Sequence, residues 1–379
     1  DLERRDFTIN AMAYNDNRGL VDEFGGIKDL KDGIIRCVGD AGQRFDEDAL
    51  RMLRAVRFAG QLGFAIEEKT REAIVERADH LKNISAERIR VELTKLLVSK
   101  EAGRIRDAYK TGMTKYFLPE LDAAMQTEQK NPHHIYTVGE HSICGIELMN
   151  CFFGITSDKK IYDKIPENVL ETAKQLAAKM DKKQQTVLCM TMLLHDIAKP
   201  AVMTVDEKGI GHFIGHPVQS EKMAKKIMRR LTFDNDSISK ACRLIRFHDY
   251  RMEDKSRAFR RAVSKIGADI MDMLFLVEYA DVLAQSDMQR DEKLAKIDAG
   301  VKRFEYIMAN AQPLSIKDLA VTGSDLIAAG VKPGPKMGEI LKAMLDKVLD
   351  EPELNTKDGL LNYLKCENGN KNVEENEDL

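Results

Sequence analysis

The sequence predicts a mainly α protein of several domains, and three observations carry that prediction. The apolar content is aliphatic: 43% of the 379 residues are hydrophobic, yet only 6% are aromatic, and Trp is absent. With 32% charged residues and modest Gly and Pro, that balance favours helices over a β-sandwich. From about residue 44 onward, apolar residues recur at helical spacing. Only residues 19–39 are rich in strand formers set between turn residues. A chain of this length allows two to four domains.

The elements follow in order. Gly19 to Phe24 and Ile34 to Gly39 read as strands, with Gly25-Gly26 and Asp32-Gly33 as turns. Two strands alone are marginal, so the rest of their sheet is expected upstream. Ala49, Met52, Leu53, Val56, Ala59 and Gly60 make one helix stripe. Ser85 is placed to cap the next helix, with Glu87 in its first turn. Asn131-Pro132 breaks the pattern. Residues 133–310 form a long helical block rich in His and Met. Gln312-Pro313 and Lys332-Pro333-Gly334-Pro335 punctuate a last helical unit. Residues 367–379, rich in Asn and Glu, are expected to be disordered.

Composition also excludes some functions. No apolar run approaches the ~20 residues of a membrane span. The net charge is −3, so nucleic-acid binding would have to rest on local basic faces. Lys222 to Arg230 is one such face, and it reads equally well as an ordinary solvated helix. Cys37, Cys144, Cys151, Cys189, Cys242 and Cys366 form no C-x-x-C pair. They suggest neither a disulfide framework nor a zinc knuckle, which points to a reducing, cytoplasmic setting.

Two constellations carry chemistry. In Glu47 to Ala59, read as one helix, Asp48, Arg51, Arg54 and Arg57 fall off the apolar stripe, among Leu50 and Phe58. Asp48 and Arg51 at i and i+3 would offer an acceptor and a donor to a base edge. Arg54 and Arg57 would match phosphate oxygens with guanidinium forks. A surface helix with an ordinary Asp–Arg pair is the alternative. The second constellation is His195-Asp196, which closes the apolar run Val187 to Leu194. Asp seldom goes inside unpaired, and a metal ion would compensate it. His141, His216, His248 and Asp281 lie in the same helical block. His134 rivals His141, and Asp249 makes a second His-Asp dipeptide. His80, His133 and His212 are read as ordinary core or surface residues.

Arg4-Arg5-Asp6-Phe7-Thr8-Ile9-Asn10-Ala11-Met12 resembles the second signature block of the class II tRNA nucleotidyltransferases. This family comprises the CCA-adding enzymes and their relatives, the bacterial poly(A) polymerases. Gly25 to Leu30 is similar to the family's third block, a flexible spring. Glu47 to Ala59 resembles the fourth, which reads CTP or ATP, and Ile84 to Glu92 the fifth, mostly architectural. The resemblance implies that Asp48 and Arg51 contact the base and that Arg54 and Arg57 contact the rest of the nucleotide. It also implies that Arg5 binds the nucleotide and that Asp6 lies near the sugar. The order His141, His195-Asp196, His216, His248, Asp281 resembles the HD phosphohydrolases. By that similarity His141, His195, Asp196 and Asp281 form a core metal quartet, with His216 and His248 as ligands of a second metal. Mn, Ni, Fe, Zn or Mg would suit such donors.

The family's Gly-rich turn and two Mg²⁺-binding carboxylates precede its second block, and this chain opens on Asp1. The expectation is therefore a missing N-terminal catalytic block and no catalytic carboxylates for transfer here. On that expectation the chain, given CTP, ATP, Mg²⁺ and tRNA lacking its CCA end, yields no extension. The implied division is a remnant of a small α/β nucleotidyltransferase head at 1–42 and a helical neck and body at 43–130. An HD domain at 131–310, a tRNA-binding tail at 311–366 and the acidic end at 367–379 would follow. The implied function is addition of C, C and A to tRNA from CTP and ATP, with a phosphohydrolase activity left open at the HD site. A poly(A) polymerase or a CC- or A-adding enzyme is the alternative within the family. A stand-alone HD phosphohydrolase and a non-catalytic tRNA-binding protein are alternatives outside it. No membrane partner is expected, and a homodimer is left open.

Overall fold

The computed structural model describes residues 2–17, 19–133, 135–156, 158–253 and 255–366. His134 and the expected disordered end lie outside these. The described chain is helical with three two-stranded sheets, and it divides into two units. The first holds residues up to Asp249 together with Met273–Ile297; the second holds Tyr250–Asp272 and the residues from Asp298 on.

The first unit opens with a hairpin of β1 (Ala13–Asn15) and β2 (Gly19–Val21). The expected strand at 19–24 is thus shorter, and its partner lies within the chain. Gly25-Gly26 opens a helix, α1 (Gly26–Asp32), because Asp22 accepts from the backbone N–H of Gly26 and Ile27 at 2.7 and 2.9 Å. Gly26 is required by packing: a Cβ there would lie 2.2 Å from the Thr8 carbonyl oxygen. This close contact fixes α1 against the Arg4 to Met12 segment. Beyond α1, β3 (Ile34–Ile35) does not pair with β2 as one small sheet would require. It pairs in parallel with β4 (Ala65–Ile66).

The helices α2 (Ala41–Glu47) and α3 (Leu50–Leu62) stand where one continuous helix was expected. After β4 come α4 (Glu68–Arg77), α5 (Ala86–Leu97), α6 (Ile105–Lys110), α7 (Thr114–Phe117) and α8 (Pro119–Gln126). Met52, Leu53, Val56 and Ala59 of α3 are fully buried, as are Leu93, Leu96 and Leu97 of α5, and these two helices pack closely.

The block after Pro132 comprises α9 (Val138–Phe152), α10 (Lys159–Tyr162), α11 (Glu167–Ala177), α12 (Lys182–Leu194) and α13 (Lys199–Val202). A hairpin of β5 (Thr204–Val205) and β6 (Gly211–His212) leads into α14 (His216–Arg230) and α15 (Asn235–Phe247). The end of α12 is buried on every side from Val187 to Leu194, so it is the centre of this bundle. Arg106 of α6 reaches α9, pairing with Glu140 and Glu147 at 2.7 Å each.

The second unit is built on α16 (Ser256–Ile266) and α20 (Pro335–Asp350). Between them in sequence come α17 (Met271–Leu283), nearly all of it in the first unit, α18 (Arg290–Ala309), whose first residues also belong to the first unit, and α19 (Gly323–Ala328). The end of α20 is capped from α16: Arg260 donates to the carbonyls of Leu349 and Asp350 at 2.7 and 3.1 Å, and Arg261 pairs with Asp350. No helix among the described residues is long and apolar enough to cross a membrane.

Candidate nucleotide site and metal centre

The Arg-rich segment folds differently from the single helix expected of it. Asp48 sits in the break between α2 and α3, with an extended backbone (φ −153°, ψ 99°). The expected i,i+3 helical pairing with Arg51 is therefore absent. Asp48 instead accepts from the Leu50 N–H at 3.2 Å and pairs with Arg88 of α5 at 2.7 Å. Arg51 is held by Glu47 at 2.6 Å and by the carbonyls of Arg44 and Arg4 at 3.0 and 2.9 Å. Its contact with Arg4 ties the opening segment to α3, near Arg5 and Asp6. Asp6, nearly buried, takes the Arg54 guanidinium at 2.7 Å and the Asn10 amide at 2.6 Å.

Arg57 does not face outward, as phosphate contact would require. It is 8% exposed, stacks at 3.7 Å on the Phe58 ring and pairs at 2.6 Å with Glu92 of α5. Burial lowers its affinity for a proton, and Glu92 opposes that shift. Arg57 therefore braces α3 against α5 and leaves Arg54, one turn back, as the arginine with an accessible edge. Arg88 and Glu92 were not singled out from sequence. Their one signal was their place in the Ile84 to Glu92 segment.

The six residues of the second constellation meet at one place, brought there by five separate elements. His141 lies in the first turn of α9, His195-Asp196 just past α12, His216 at the start of α14, His248 just past α15, and Asp281 on α17. Asp196 is at the centre. Its Oδ2 lies 3.3 Å from His195 Nε2 and 3.7 Å from His141 Nε2. Its Oδ1 lies 3.3 Å from His216 Nε2 and 3.6 Å from His248 Nε2. Asp281 Oδ1 adds contacts of 2.8 Å to His141 and 3.5 Å to His195.

The orientation of the rings is fixed from behind. Nδ1 of His195, His216 and His248 donates to the carbonyls of Met192, Phe213 and Ile245 at 2.8, 2.9 and 2.7 Å. His141 Nδ1 faces the Ala284 carbonyl at 3.3 Å. A proton on each Nδ1 leaves each Nε2 with an inward lone pair, the form that ligates metals. Two pairs of these lone pairs then face each other, His141 with His195 at 3.3 Å and His216 with His248 at 3.4 Å. Asp196 Oδ1 is buried with no hydrogen-bond partner. Facing lone pairs and an orphaned carboxylate oxygen are unfavourable unless a cation lies among them. The donors thus fit a metal in two sets that share Asp196, namely His141, His195, Asp196 and Asp196, His216, His248.

The charges agree. Burial works against each carboxylate, yet His195 and Lys199 hold Asp196 well below the usual range, and His141 and His195 do the same for Asp281. Burial lowers the His195 pKa, but Asp196 and Asp281 outweigh it and push it up to about 10. The cluster therefore favours a positive charge, whether proton or metal. Lys199, buried, lies 2.6 Å from Asp196 and donates to Gln129 at 2.9 Å. It was not singled out from sequence, although its place three residues after Asp196 was a signal. Asp249 is exposed, and it is absent from both donor sets, as are His80, His133 and His212.

An A-adding tRNA nucleotidyltransferase of Deinococcus radiodurans is 30% identical over 362 residues, covering 91% of this chain and 74% of that protein. The chain belongs to the tRNA nucleotidyltransferase family. Three family models match parts of it: Poly A polymerase head domain at 1–36, probable RNA and SrmB-binding site of polymerase A at 63–125, and tRNA nucleotidyltransferase domain 2 at 206–364. A CCA-adding enzyme of Leuconostoc mesenteroides is 49% identical over 119 residues, 31% of this chain. One from Bacillus licheniformis is 51% identical over 123 residues, 32% of this chain. The matches span only 30% and 31% of those two enzymes. A structure of the Bacillus stearothermophilus CCA-adding enzyme in complex with CTP has the same fold, at TM-score 0.59 and 23% identity. It matches over 99% of this chain and 75% of that one. As a tRNA nucleotidyltransferase homologue, the chain carries its Arg4 to Met12 segment and α3 within or beside the matched regions. The His–Asp cluster spreads from α9 to α17.

Proposed function

We propose that the protein adds C, C and A to the 3′ end of tRNA, taking CTP and ATP without a nucleic-acid template. The observation that carries this reading is the joining of the Arg4 to Met12 segment to α3 through Asp6–Arg54 and Arg4–Arg51, in a chain of this family. In this reading Asp48 and Arg51 read the base, while Arg5, Asp6 and Arg54 hold the sugar and phosphates. Arg57 acts from behind through Glu92. Mg²⁺ would activate the attacking 3′ hydroxyl and stabilise departing pyrophosphate. Residues 43–130 serve as neck and body, 131–310 as the metal domain and 311–366 as a tRNA-binding tail, in a cytoplasmic protein. The test is the length of product made by the intact protein on tRNA lacking its last three nucleotides, with CTP alone, ATP alone, or both. Growth by three nucleotides only with both supports the reading.

One observation favours a narrower activity. A relative matched over 91% of this chain is named an A-adding tRNA nucleotidyltransferase. Growth by a single A, and only on tRNA already ending in CC, would establish that reading instead.

We also propose that the His–Asp cluster binds divalent cations and hydrolyses phosphate esters. His141, His195, Asp196, His216, His248 and Asp281 would hold the metal, which would supply Lewis acidity and an activated water. Lys199 would hold Asp196 in place. Hydrolysis of a 2′,3′-cyclic nucleotide that depends on added Mn²⁺ or Ni²⁺ and is lost in Asp196→Asn supports it. Cation binding without turnover would reduce the cluster to a structural role.

A further inference from the structure

α14 carries an unpaired basic stripe. Lys222, Lys225, Lys226 and Arg229 are all exposed, and their spacing of i, i+3, i+4 and i+7 puts them on one face. Ala224, Ile227 and Met228 fill the opposite, buried face. Among the described residues, no carboxylate lies within ion-pair distance of any of the four. The one acid on the helix, Glu221, is taken by Arg246 at 2.8 Å. Like charges one turn apart repel, so the stripe does not stabilise its own helix. The helix dipole accounts for Arg229 and Arg230 in the last turn, but not for Lys222 and Lys225. In a chain of net charge −3, four uncompensated cations on one face need another explanation.

The position of the stripe supplies one. At its C-terminal end Arg230 is bound bidentately by Glu120 at 2.7 and 2.8 Å and reaches the Phe117 carbonyl on α7. Next to that carbonyl, Lys115 and Tyr116 are exposed. Just beyond α14, Phe233 lies 5.6 Å beneath the Arg90 guanidinium of α5. The same helix α5 carries Arg88, which pairs with Asp48. At its N-terminal end α14 begins with His216 of the cluster. The stripe therefore runs from beside α5, the helix that carries Arg88, toward the helix start that carries His216. It spans ~10 Å at 1.5 Å per residue, enough for about three phosphates of one strand.

We propose that Lys222, Lys225, Lys226 and Arg229 of α14 bind the phosphate backbone of RNA whose 3′ end is held at the nucleotide site. The proposal rests on the tRNA reading above. Lysines on a helix face contact phosphates as point charges, without reading bases. Each contact releases counterions, so the stripe should reveal itself in the salt dependence of binding.

The test uses the full chain and an unmodified tRNA transcript lacking its CCA end, in filter binding between about 50 and 400 mM KCl. The variant changes Lys222, Lys225, Lys226 and Arg229 to Gln together. A control changes Lys159, Lys160, Lys164 and Lys182, four exposed cations elsewhere, to Gln. Expected for the stripe variant is a slope of log affinity against log salt that is shallower by about 3, with affinity at about 0.1 M salt at least about 30-fold weaker. The control should match the parent. Thermal unfolding and Mn²⁺ binding, the latter reporting on His216 of the same helix, should be unchanged in both. A stripe variant with the parent's slope and affinity overturns the proposal alone. An equal loss in the control overturns it too, since net charge would then suffice. A parent chain that does not retain the transcript at any of these salt levels overturns the tRNA reading as well.

Discussion

Arg88 Nη2 lies 2.7 Å from Asp48 Oδ2, joining α5 to the break between α2 and α3. Both side chains are partly exposed, at 50% and 29%, so the pair adds little stability, ~0.2–1 kcal/mol. Its effect is on the direction of the Asp48 carboxylate. Arg88→Ala is expected to weaken CTP binding by about fivefold with little change in unfolding midpoint, and Arg88→Lys to restore part of it. Calorimetric titration of CTP, alongside urea unfolding, checks both. Unchanged CTP affinity in Arg88→Ala removes Arg88 from the site.

Arg57 and Glu92 behave differently because both are buried. Arg57→Ala leaves the buried Glu92 carboxylate in the α3–α5 interface with only the more distant Arg54, at 3.9 Å. The expected cost is ~3–5 kcal/mol, read as a large shift of the urea midpoint. Replacing both together, with Arg57→Met and Glu92→Leu, should recover most of it. If the double variant is as unstable as the single, the pair is not what holds the interface.

The two donor sets share Asp196 but not their histidines. Elemental analysis after Mn²⁺ loading is therefore expected to give about two cations per chain in the parent. About one should remain in His216→Ala, and almost none in Asp196→Ala. Equal content in all three would rule out the cluster as the binding place.

The pH dependence of that binding follows from His195. Burial pulls its pKa down, but Asp196 and Asp281 together set it at about 10. At neutral pH the metal-free imidazole holds a proton that a metal must displace. Cation affinity should accordingly rise as pH increases from 7 toward 10 and fall on acidification. Titration in buffers of different ionisation heat should show proton release. Affinity independent of pH over that range would contradict the coupling.

The cysteines give a test of packing. Burial pushes Cys37, Cys151 and Cys189 up to about 12, and Cys144 and Cys242 up to about 11. At pH 8 these five stay protonated and unreactive. Cys366 is exposed. Iodoacetamide followed by peptide mapping should label Cys366 first and the others only with denaturant. Rapid labelling of Cys189 would contradict the packing around α12.

The helical class and the break at Asn131-Pro132 could be read because apolar periodicity and Pro act locally. An Asp closing the apolar run to Leu194 needs compensation wherever it folds, so a partner for Asp196 could be anticipated; that His141, His216, His248 and Asp281 supply the surroundings was implied only by the resemblance to the HD phosphohydrolases. The burial of Arg57 could not be read, since it depends on Glu92 arriving 35 residues later on another helix. Asp48 looked helical because its neighbours fit one stripe. The interruption shows only once Arg88 and the Leu50 N–H claim its carboxylate. The parallel pairing of β3 with β4 escaped for a simpler reason: two residues are too short to display a period of two.

Three of the four carbonyls behind the rings belong to the residue three positions before the histidine: Met192 for His195, Phe213 for His216 and Ile245 for His248. Each of these histidines thus travels with its own tautomer control inside a four-residue stretch of main chain. Drift in neighbouring side chains leaves that control intact, because no side chain supplies it. A lineage could tune the cluster's surroundings freely, yet it could abolish the inward lone pairs only by replacing a histidine or breaking a helix end.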